Sequence, residues 1–147
     1  MKIDRVWAMP NKQTFQIKPI RDLIEEEKVD GVGIDPFPFD YTVDVLEYLH
    51  EFGNESVDFG LFDPPYSPRQ SKECYKGIGK YDTKNSTWGG WKDEMARVIK
   101  RGGKCISFGW NSGGLGKNRG FEIIRIRLVP HGAMHNDTIC TVEERFE

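Results

Sequence analysis

Hydrophobic positions change their spacing along the chain, and the changes predict strands alternating with helices. Segment 15–29 begins extended at FQIKP and continues as a helix, with Pro19 at the first helical position. The run VGI within 30–37 predicts a short buried strand. A second helix is predicted over 41–52. The apolar face of that helix consists of Val45, Leu46, Leu49 and Phe52.

The middle of the chain predicts a strand, a long loop and a third helix. Residues 56–62, SVDFGLF, form an apolar strand that stops at DPPY. The stretch 67–90 is polar with several Gly and Lys residues, which predicts a loop. A helix is expected over 91–100, and Gly102-Gly103 is expected to end it as a C-cap. The inward residues of this helix are Met95, Val98 and Ile99.

The C-terminal third predicts three more strands. KCISFGW at 104–110 is the first of them, and a Gly-rich loop follows it. In 121–130 Ile and Leu alternate with Arg125 and Arg127, which predicts a half-exposed strand. Alternation resumes over 137–145 in the last strand. The order of elements predicts an α/β fold whose sheet is mostly parallel and closes with an antiparallel C-terminal pair.

Composition places the chain among single-domain globular proteins. The 147 residues, 37% hydrophobic and 30% charged, predict one domain over 1–147. No apolar run reaches the roughly 18 residues of a membrane span, and residues 1–10 lack the apolar core of a secretory signal. Three widely spaced cysteines suit a reducing compartment. We expect a cytoplasmic protein with no membrane partner.

The net charge of −2 conceals an uneven distribution. Residues 1–62 hold 6 basic and 13 acidic side chains, net −7. Residues 68–130 hold 14 basic and 5 acidic side chains, net +9. Such asymmetry is compatible with a face that meets phosphate, although a solvated surface would also produce it.

The tetrad Asp63-Pro64-Pro65-Tyr66 follows directly on an apolar strand. Ligands of open α/β sheets bind at the carboxyl ends of strands. The tetrad suits methyl transfer to an exocyclic amine, because a carboxylate and a proline-fixed carbonyl can accept the two amine hydrogens and free the lone pair. Tyr66 supplies a ring on which a flipped base can stack. The alternative is a proline-stiffened turn.

Around this tetrad the sequence resembles the S-adenosylmethionine-dependent amino-methyltransferases, and among them the small adenine-specific DNA methyltransferases often found in phages. The resemblance covers most of the chain and implies a Rossmann-like methyltransferase sheet. The similar segments are FQIKPIRDLI (15–24), IDPF (34–37), VDVLEYL (43–49), FDPPYSPRQ (62–70), WKDEMARVIKRGGKCISFGWNSGG (91–114) and HNDTICTVEE (135–144).

The resemblance implies roles for individual residues. Asp63, Pro64, Pro65 and Tyr66 would hold the target amine. The implied contacts to S-adenosylmethionine come from Phe15, Lys18, Pro19, Asp35, Pro36, Phe37 and Asp44. The implied partner is DNA in a bacterial, archaeal or phage-infected cell. The basic side chains Lys117 and Arg119 of the Gly-rich loop, together with Arg69, are the expected contacts to its phosphates.

The sequence departs from the family pattern after Phe37. The expected D-P-F-x-G-x-G reads Asp35-Pro36-Phe37-Pro38-Phe39-Asp40, without glycine. Only nine steps separate Asp35 from Asp44, fewer than the dozen or more residues of a strand-helix-strand crossover. Three explanations stay open: a natural deletion that has lost the cofactor, a stretch left out of the chain between Phe37 and Thr42, or a different mode of cofactor binding.

Two other patterns are set aside. His131, His135 and Cys140 could indicate a metal site, but they lie in a Gly-containing connection, and no metal is expected. Trp88 and Trp91 could stack on a base, but such aromatics more often anchor a loop to the core.

The leading functional hypothesis is adenine-specific DNA methylation. The alternatives are methylation of another nucleic-acid amine, such as RNA guanine or cytosine, and an inactive nucleic-acid-binding remnant. The chain has no room for a separate target-recognition domain, so specificity would come from loops 67–90 and 111–120 or from a second copy in a homodimer.

Overall fold

A computed structural model describes residues 1–11, 13–37, 45–64, 85–132 and 135–147, with the side chains of 85–87 also left undescribed. Within these ranges the chain forms a six-stranded sheet and three α-helices. The helices are α1 (Lys18–Glu27), α2 (Val45–His50) and α3 (Asn85–Val98). The strands are β1 (Lys2–Arg5), β2 (Gly33–Ile34), β3 (Val57–Phe62), β4 (Ile99–Gly109), β5 (Phe121–Val129) and β6 (Thr138–Arg145).

The strand order across the sheet is β1-β5-β6-β4-β3-β2. Strand β6 runs antiparallel to both β4 and β5, and the other neighbouring strands pair in parallel. The predicted α/β class, the mostly parallel sheet and the antiparallel C-terminal pair are therefore confirmed. None of the helices in the described ranges is long and apolar enough to cross a bilayer.

Apolar side chains form one layer on each face of the sheet. One layer packs under α2 and α3 and includes Leu49, Phe62, Met95 and Val98. The other packs under α1 and includes Ile20, Leu23, Ile106 and Val142. Because both faces of the sheet are covered there, β4 is buried at four successive residues from Cys105 to Phe108 and does not alternate between buried and exposed positions.

Helix α3 is longer than the sequence predicts, and it ends at Val98 rather than at residue 100. It begins at Asn85, so the expected loop 67–90 extends at most to residue 84, and residues 65–84 lie outside the described residues. Gly89 and Gly90 are helical although glycine lowers helix stability by about 1 kcal/mol each. Packing of Trp91 and Met95 against the sheet outweighs that preference.

The prediction that Gly102-Gly103 caps this helix is wrong, because both residues lie inside β4. The pairing of β3 with β4 steps from Val57↔Ile99 to Phe59↔Lys104, so the glycine pair lies in an irregular bulge. Gly102 has φ +83°, which glycine adopts without strain. A Cβ at Gly103 would lie 2.8 Å from the carbonyl oxygen of Asp58.

Strand β5 is half-exposed as predicted, but its arginines are not on the exposed side: Arg125 and Arg127 are buried, whereas Ile124, Ile126 and Leu128 are only partly buried. Arg127 Nε donates to Asp4 Oδ1 at 2.7 Å, and Arg125 Nη1 donates to Glu27 Oε2 at 3.0 Å. Strand β1 pairs with β5 and brings Asp4 over the arginines, while α1 brings Glu27. The short, mixed-charge segment of β1 gave no strand signal in the sequence.

The Asp4→Ala variant should lose about 2–3 kcal/mol of stability, because it leaves two buried guanidinium groups short of a carboxylate. Asp22→Ala is the matched control, since Asp22 forms only an exposed pair with Lys18 and should change stability by less than about 0.5 kcal/mol. Urea unfolding of both variants measures the difference. Equal midpoints would contradict a structural role for the arginine cluster.

Candidate functional site

Asp63 and Pro64 lie where the sequence places them, directly after β3 at the carboxyl edge of the sheet. Pro64 is buried and Asp63 is partly buried. Strand β3 lies between β2 and β4 and pairs with both in parallel, so all three strands end at this edge. Pro65, Tyr66 and Arg69 lie outside the described residues.

The segment Asp35-Pro36-Phe37 leaves the neighbouring strand β2 at the same edge. The Phe37 ring lies edge-on to Phe62, with centroids 5.3 Å apart, and to Trp91 at 5.1 Å. The two motifs that the resemblance singled out are therefore adjacent in space. Because the residue is 2% exposed and packs in the core, Phe37 positions the segment rather than contacting a ligand with its ring. Asp44 lies outside the described residues.

Asp35 is a partly buried carboxyl group at the end of β2. Burial raises the pKa of Asp35 to about 6, and the hydrogen bond from the Phe37 amide to Oδ1, 3.2 Å long, opposes the rise. The pKa of Tyr48 is also raised, mainly by burial and to a smaller extent by the nearby charge of Asp35. The carboxyl group of Asp35 therefore changes charge close to neutral pH.

Of the three residues near the start of α1 that were expected to contact the cofactor, Phe15 is the one that lies near the site. The Phe15 ring packs edge-on against Phe108 near the end of β4, with centroids 5.2 Å apart. Lys18 is exposed, and its Nζ donates to Asp22 Oδ2 at 2.7 Å. Pro19 is buried at the second helical position, one later than expected, and its carbonyl accepts from Arg127 Nη1 at 3.0 Å.

A cavity of about 90 Å³ opens beside the ends of β3 and β4. Its aromatic lining is Phe62, Trp88, Phe108 and Trp110, and its polar side chains are Lys92, Ser107 and Asn111. The sequence pattern predicted no role for Lys92 or Ser107. Lys92 lies four residues after Trp88, which places both on one face of α3, but this relation was hidden because the helix was expected to begin only at residue 91.

Glu143 on β6 fixes the glycine-rich loop that follows β4. Its carboxylate, fully buried, accepts from the amides of Leu115 at 2.7 Å and Gly116 at 2.9 Å. Gly114 has φ +55°, and a Cβ there would overlap Glu143 Oε1. Burial raises the pKa of Glu143, while the two amide hydrogen bonds lower it. The Gly-rich loop is therefore anchored to the sheet through Glu143.

The two described candidates for phosphate contact differ in their surroundings. Lys117 is exposed at the start of the short 3-10 helix Lys117–Arg119. Arg119 Nε donates to Asp93 Oδ1 at 2.7 Å, and its Nη1 donates to the carbonyl of Leu115 at 3.0 Å. Arg119 therefore holds the loop on α3, and Lys117 presents a charge to solvent.

His131 serves the connection between β5 and β6. Its Nδ1 lies 2.9 Å from the carbonyl oxygen of Ala8, and its Nε2 lies 2.8 Å from Thr138 Oγ1. Both ring nitrogens are thus engaged inside the protein. Across the described ranges, no group of three or more His, Cys, Asp or Glu side chains could hold a metal ion.

Comparison with known proteins supports the fold. No protein-family model and no curated protein matches this chain. Its structure is similar to that of a candidate DNA modification methylase from Thermus thermophilus, with 15% identity and a TM-score of 0.51 over 74% of this chain. The chain spans about half of that protein, since the match covers 54% of it. At this identity the similarity shows a methyltransferase-like α/β fold.

Asp35→Asn should flatten the dependence of stability on pH. In the folded protein the pKa of Asp35 is about 6, above its ordinary value of 3.8. The protonated carboxyl group therefore contributes its full share of stability below about pH 4, and this contribution is lost as the pH rises through 6. The amide carries no charge, so relative to wild type the variant gains up to about 3 kcal/mol between pH 4 and pH 7. Urea unfolding at four pH values measures the gain, and parallel pH profiles would contradict it.

Proposed function

We propose that this chain transfers a methyl group from S-adenosylmethionine to the exocyclic amine of adenine in DNA. The observation that carries the proposal is the adjacency of two motifs at the carboxyl edge of one parallel sheet. Asp63-Pro64 follows β3 there, and Asp35-Pro36-Phe37 follows β2, joined by the contact between Phe37 and Phe62. The similarity to the Thermus protein supports a methyltransferase-like fold around this edge.

The proposed chemistry uses Asp63 and the proline-fixed backbone after it. The nitrogen of an aromatic amine is a weak nucleophile because its lone pair is delocalised into the ring. The Asp63 carboxylate would accept one amine hydrogen, and a backbone carbonyl of the Pro64-Pro65 segment would accept the other. These acceptors favour the pyramidal nitrogen of the transition state, since they are already fixed before the reaction. Proline suits the position because it has no competing N–H.

The described residues fit part of the proposed cofactor. Within the described residues the Asp35 carboxyl accepts one hydrogen bond, from the Phe37 amide, although a carboxylate can accept about four. An ammonium or hydroxyl group is the donor that this remaining capacity suits. When bound, S-adenosylmethionine would supply an electrophilic methyl group whose bond to sulfur breaks, leaving a neutral thioether, as the bond to the amine nitrogen forms. The Asp63 carboxylate would take the proton that the methylated amine gives up. Asp35 would orient the cofactor, and Phe15, packed on Phe108, would limit access of water from the other face.

Adenine in DNA is the proposed acceptor because of the chemistry around the tetrad. A base must leave the duplex before a carboxylate and a carbonyl can hold its amine. Tyr66 follows Asp63 in the sequence and would stack on the extruded ring. Basic residues of 68–130, including the exposed Lys117, would meet the phosphates.

Asp63→Ala should lower methyl transfer by about two to three orders of magnitude, since it removes an acceptor aimed at the transition state. Asp63→Asn keeps one acceptor oxygen and should lose less. Incorporation of labelled methyl groups into DNA measures both variants, with circular dichroism as the folding control. Near-normal transfer by the alanine variant would overturn the role of Asp63.

The choice of acceptor separates the proposal from its alternatives. Adenine-containing DNA, adenine-free DNA and RNA are offered to the wild-type protein with the same labelled donor. Transfer confined to adenine-containing DNA supports the proposal, and transfer to the other two indicates a different nucleic-acid amine. No transfer, together with no cofactor binding by calorimetry, identifies an inactive nucleic-acid-binding protein.

Lys117→Ala should weaken DNA binding about equally across sequences and reduce the slope of log affinity against log salt by about one. The matched control is Lys100→Ala, because Lys100 is paired with Asp58 at the amino end of β4, away from the site. Fluorescence anisotropy at four salt concentrations measures both slopes. Equal slopes for the Lys117 variant and wild type would remove this loop from the DNA interface.

A further inference from the structure

The cavity beside Asp63 combines aromatic walls with a small polar side. Phe62, the residue before Asp63, lines it together with Trp88 and Trp110. A water molecule needs roughly 10–15 Å³ of such volume, so about 90 Å³ has room for several waters or one planar ring system. Aromatic walls suit the faces of a planar ring, since every base has a π-face on which aromatics stack.

Lys92 supplies a charged donor to this cavity. Its Nζ lies 6.0 Å from the centroid of the Trp88 ring. No described side chain forms an ion pair with Lys92, and the nearby Glu143 carboxylate is engaged by the amides of Leu115 and Gly116. Burial of the side chain, followed by the charge of Arg119, lowers the pKa of Lys92, and the charge of Glu143 partly opposes this shift without forming an ion pair. A partly buried ammonium without a carboxylate partner favours a ligand with acceptor atoms.

Ser107 adds a second polar group to the lining of the cavity. The residue is 8% exposed, and within the described part of the chain its Oγ forms no hydrogen bond of good distance and angle, although the buried Cys105 thiol two residues earlier on β4 lies close enough to interact with it. Thr141, directly opposite on β6, is fully buried, and its Oγ1 likewise lacks a partner among the described residues. A buried hydroxyl without a partner is unfavourable, so a ligand that bonds to Ser107 would relieve the cost.

We propose that this cavity holds the ring of the target base and that Lys92 and Ser107 select it by donating to acceptor atoms on its edge. The inference rests on the proposed function and adds the residues that choose the base. Adenine carries its amine between two ring nitrogens that accept, N1 and N7. Guanine, held by its own amine, has an N1–H donor on one side of that amine and the N3 acceptor on the other, so two donating side chains can meet only one of the two neighbouring ring atoms.

The first test is direct binding of free bases to the apo protein. The indole N–H signals of Trp88 and Trp110 in NMR spectra report on occupancy, and adenine is the probe. Wild type should bind adenine saturably, and Lys92→Met should bind it at least about tenfold more weakly, since a charge-assisted hydrogen bond is lost. Lys100→Met is the matched control and should equal wild type.

Ser107→Ala is the second variant and does not threaten the fold. Because the hydroxyl forms no hydrogen bond of good geometry in the described residues, its removal should change stability by less than about 1 kcal/mol. Adenine affinity should nevertheless fall several-fold. Unchanged adenine affinity in both Ser107→Ala and Lys92→Met would overturn the inference, as would the absence of saturable binding to wild type.

A deaza series identifies the atom that Lys92 contacts. Adenine is compared with its 1-deaza, 3-deaza and 7-deaza analogues, each lacking one ring acceptor. The nitrogen that faces Lys92 is the one whose removal weakens binding to the wild-type protein about tenfold but leaves binding to the Lys92→Met variant unchanged. If every analogue loses affinity by the same factor in both proteins, Lys92 does not contact the ring edge, and the inference fails.

Methyl transfer to DNA is measured separately so that the two proposals fail independently. Lys92-dependent adenine binding without methyl transfer to any DNA supports the pocket and overturns the proposed function. Adenine methylation with the same kcat and KM in wild type and Lys92→Met supports the proposed function and overturns the pocket. If both hold, Lys92→Met should raise KM and increase transfer to competing bases relative to adenine.

Discussion

The parallel pairing of β3 with β2 on one side and β4 on the other is the constraint on which the rest of the structure depends. Parallel neighbours cannot be joined by a tight turn, so a crossover must carry the chain from the end of β3 to the start of β4. Helix α3 lies on that crossover and covers the sheet. The same pairing brings the carboxyl ends of all three strands to one edge, where Asp35, Asp63 and the cavity are neighbours.

Charged groups inside the protein tie separate segments of the chain to the two faces of the sheet. Glu143 binds two amides of the glycine-rich loop, and the loop carries Leu115 into the core. On the other face, Arg125 and Arg127 bind carboxylates from β1 and α1. Buried charges persist only with partners, so each of these contacts ties a distant segment to the sheet.

Burial shapes the chemistry at the edge of the sheet as well as the packing. Withdrawal from water raises the pKa of Asp35 and lowers that of Lys92, so each group is held in surroundings that disfavour its charge. A ligand that offers a donor to Asp35 or an acceptor to Lys92 would offset this cost. The proposed cofactor and the proposed base have these complementary groups. Phe62 connects the two places, since its ring packs on Phe37 and also lines the cavity.

The sequence by itself determined the fold class, the positions of β3 and α1 and the location of Asp63-Pro64 at a strand end. Each depends on local spacing of apolar residues or on proline, which act within a few positions along the chain. Tertiary structure alone decided that Gly89 and Gly90 are helical, that Arg125 and Arg127 are buried, and that Lys92 and Ser107 share a cavity. Those outcomes depend on contacts between residues far apart in sequence, and in each case packing or ion pairing outweighed the local preference.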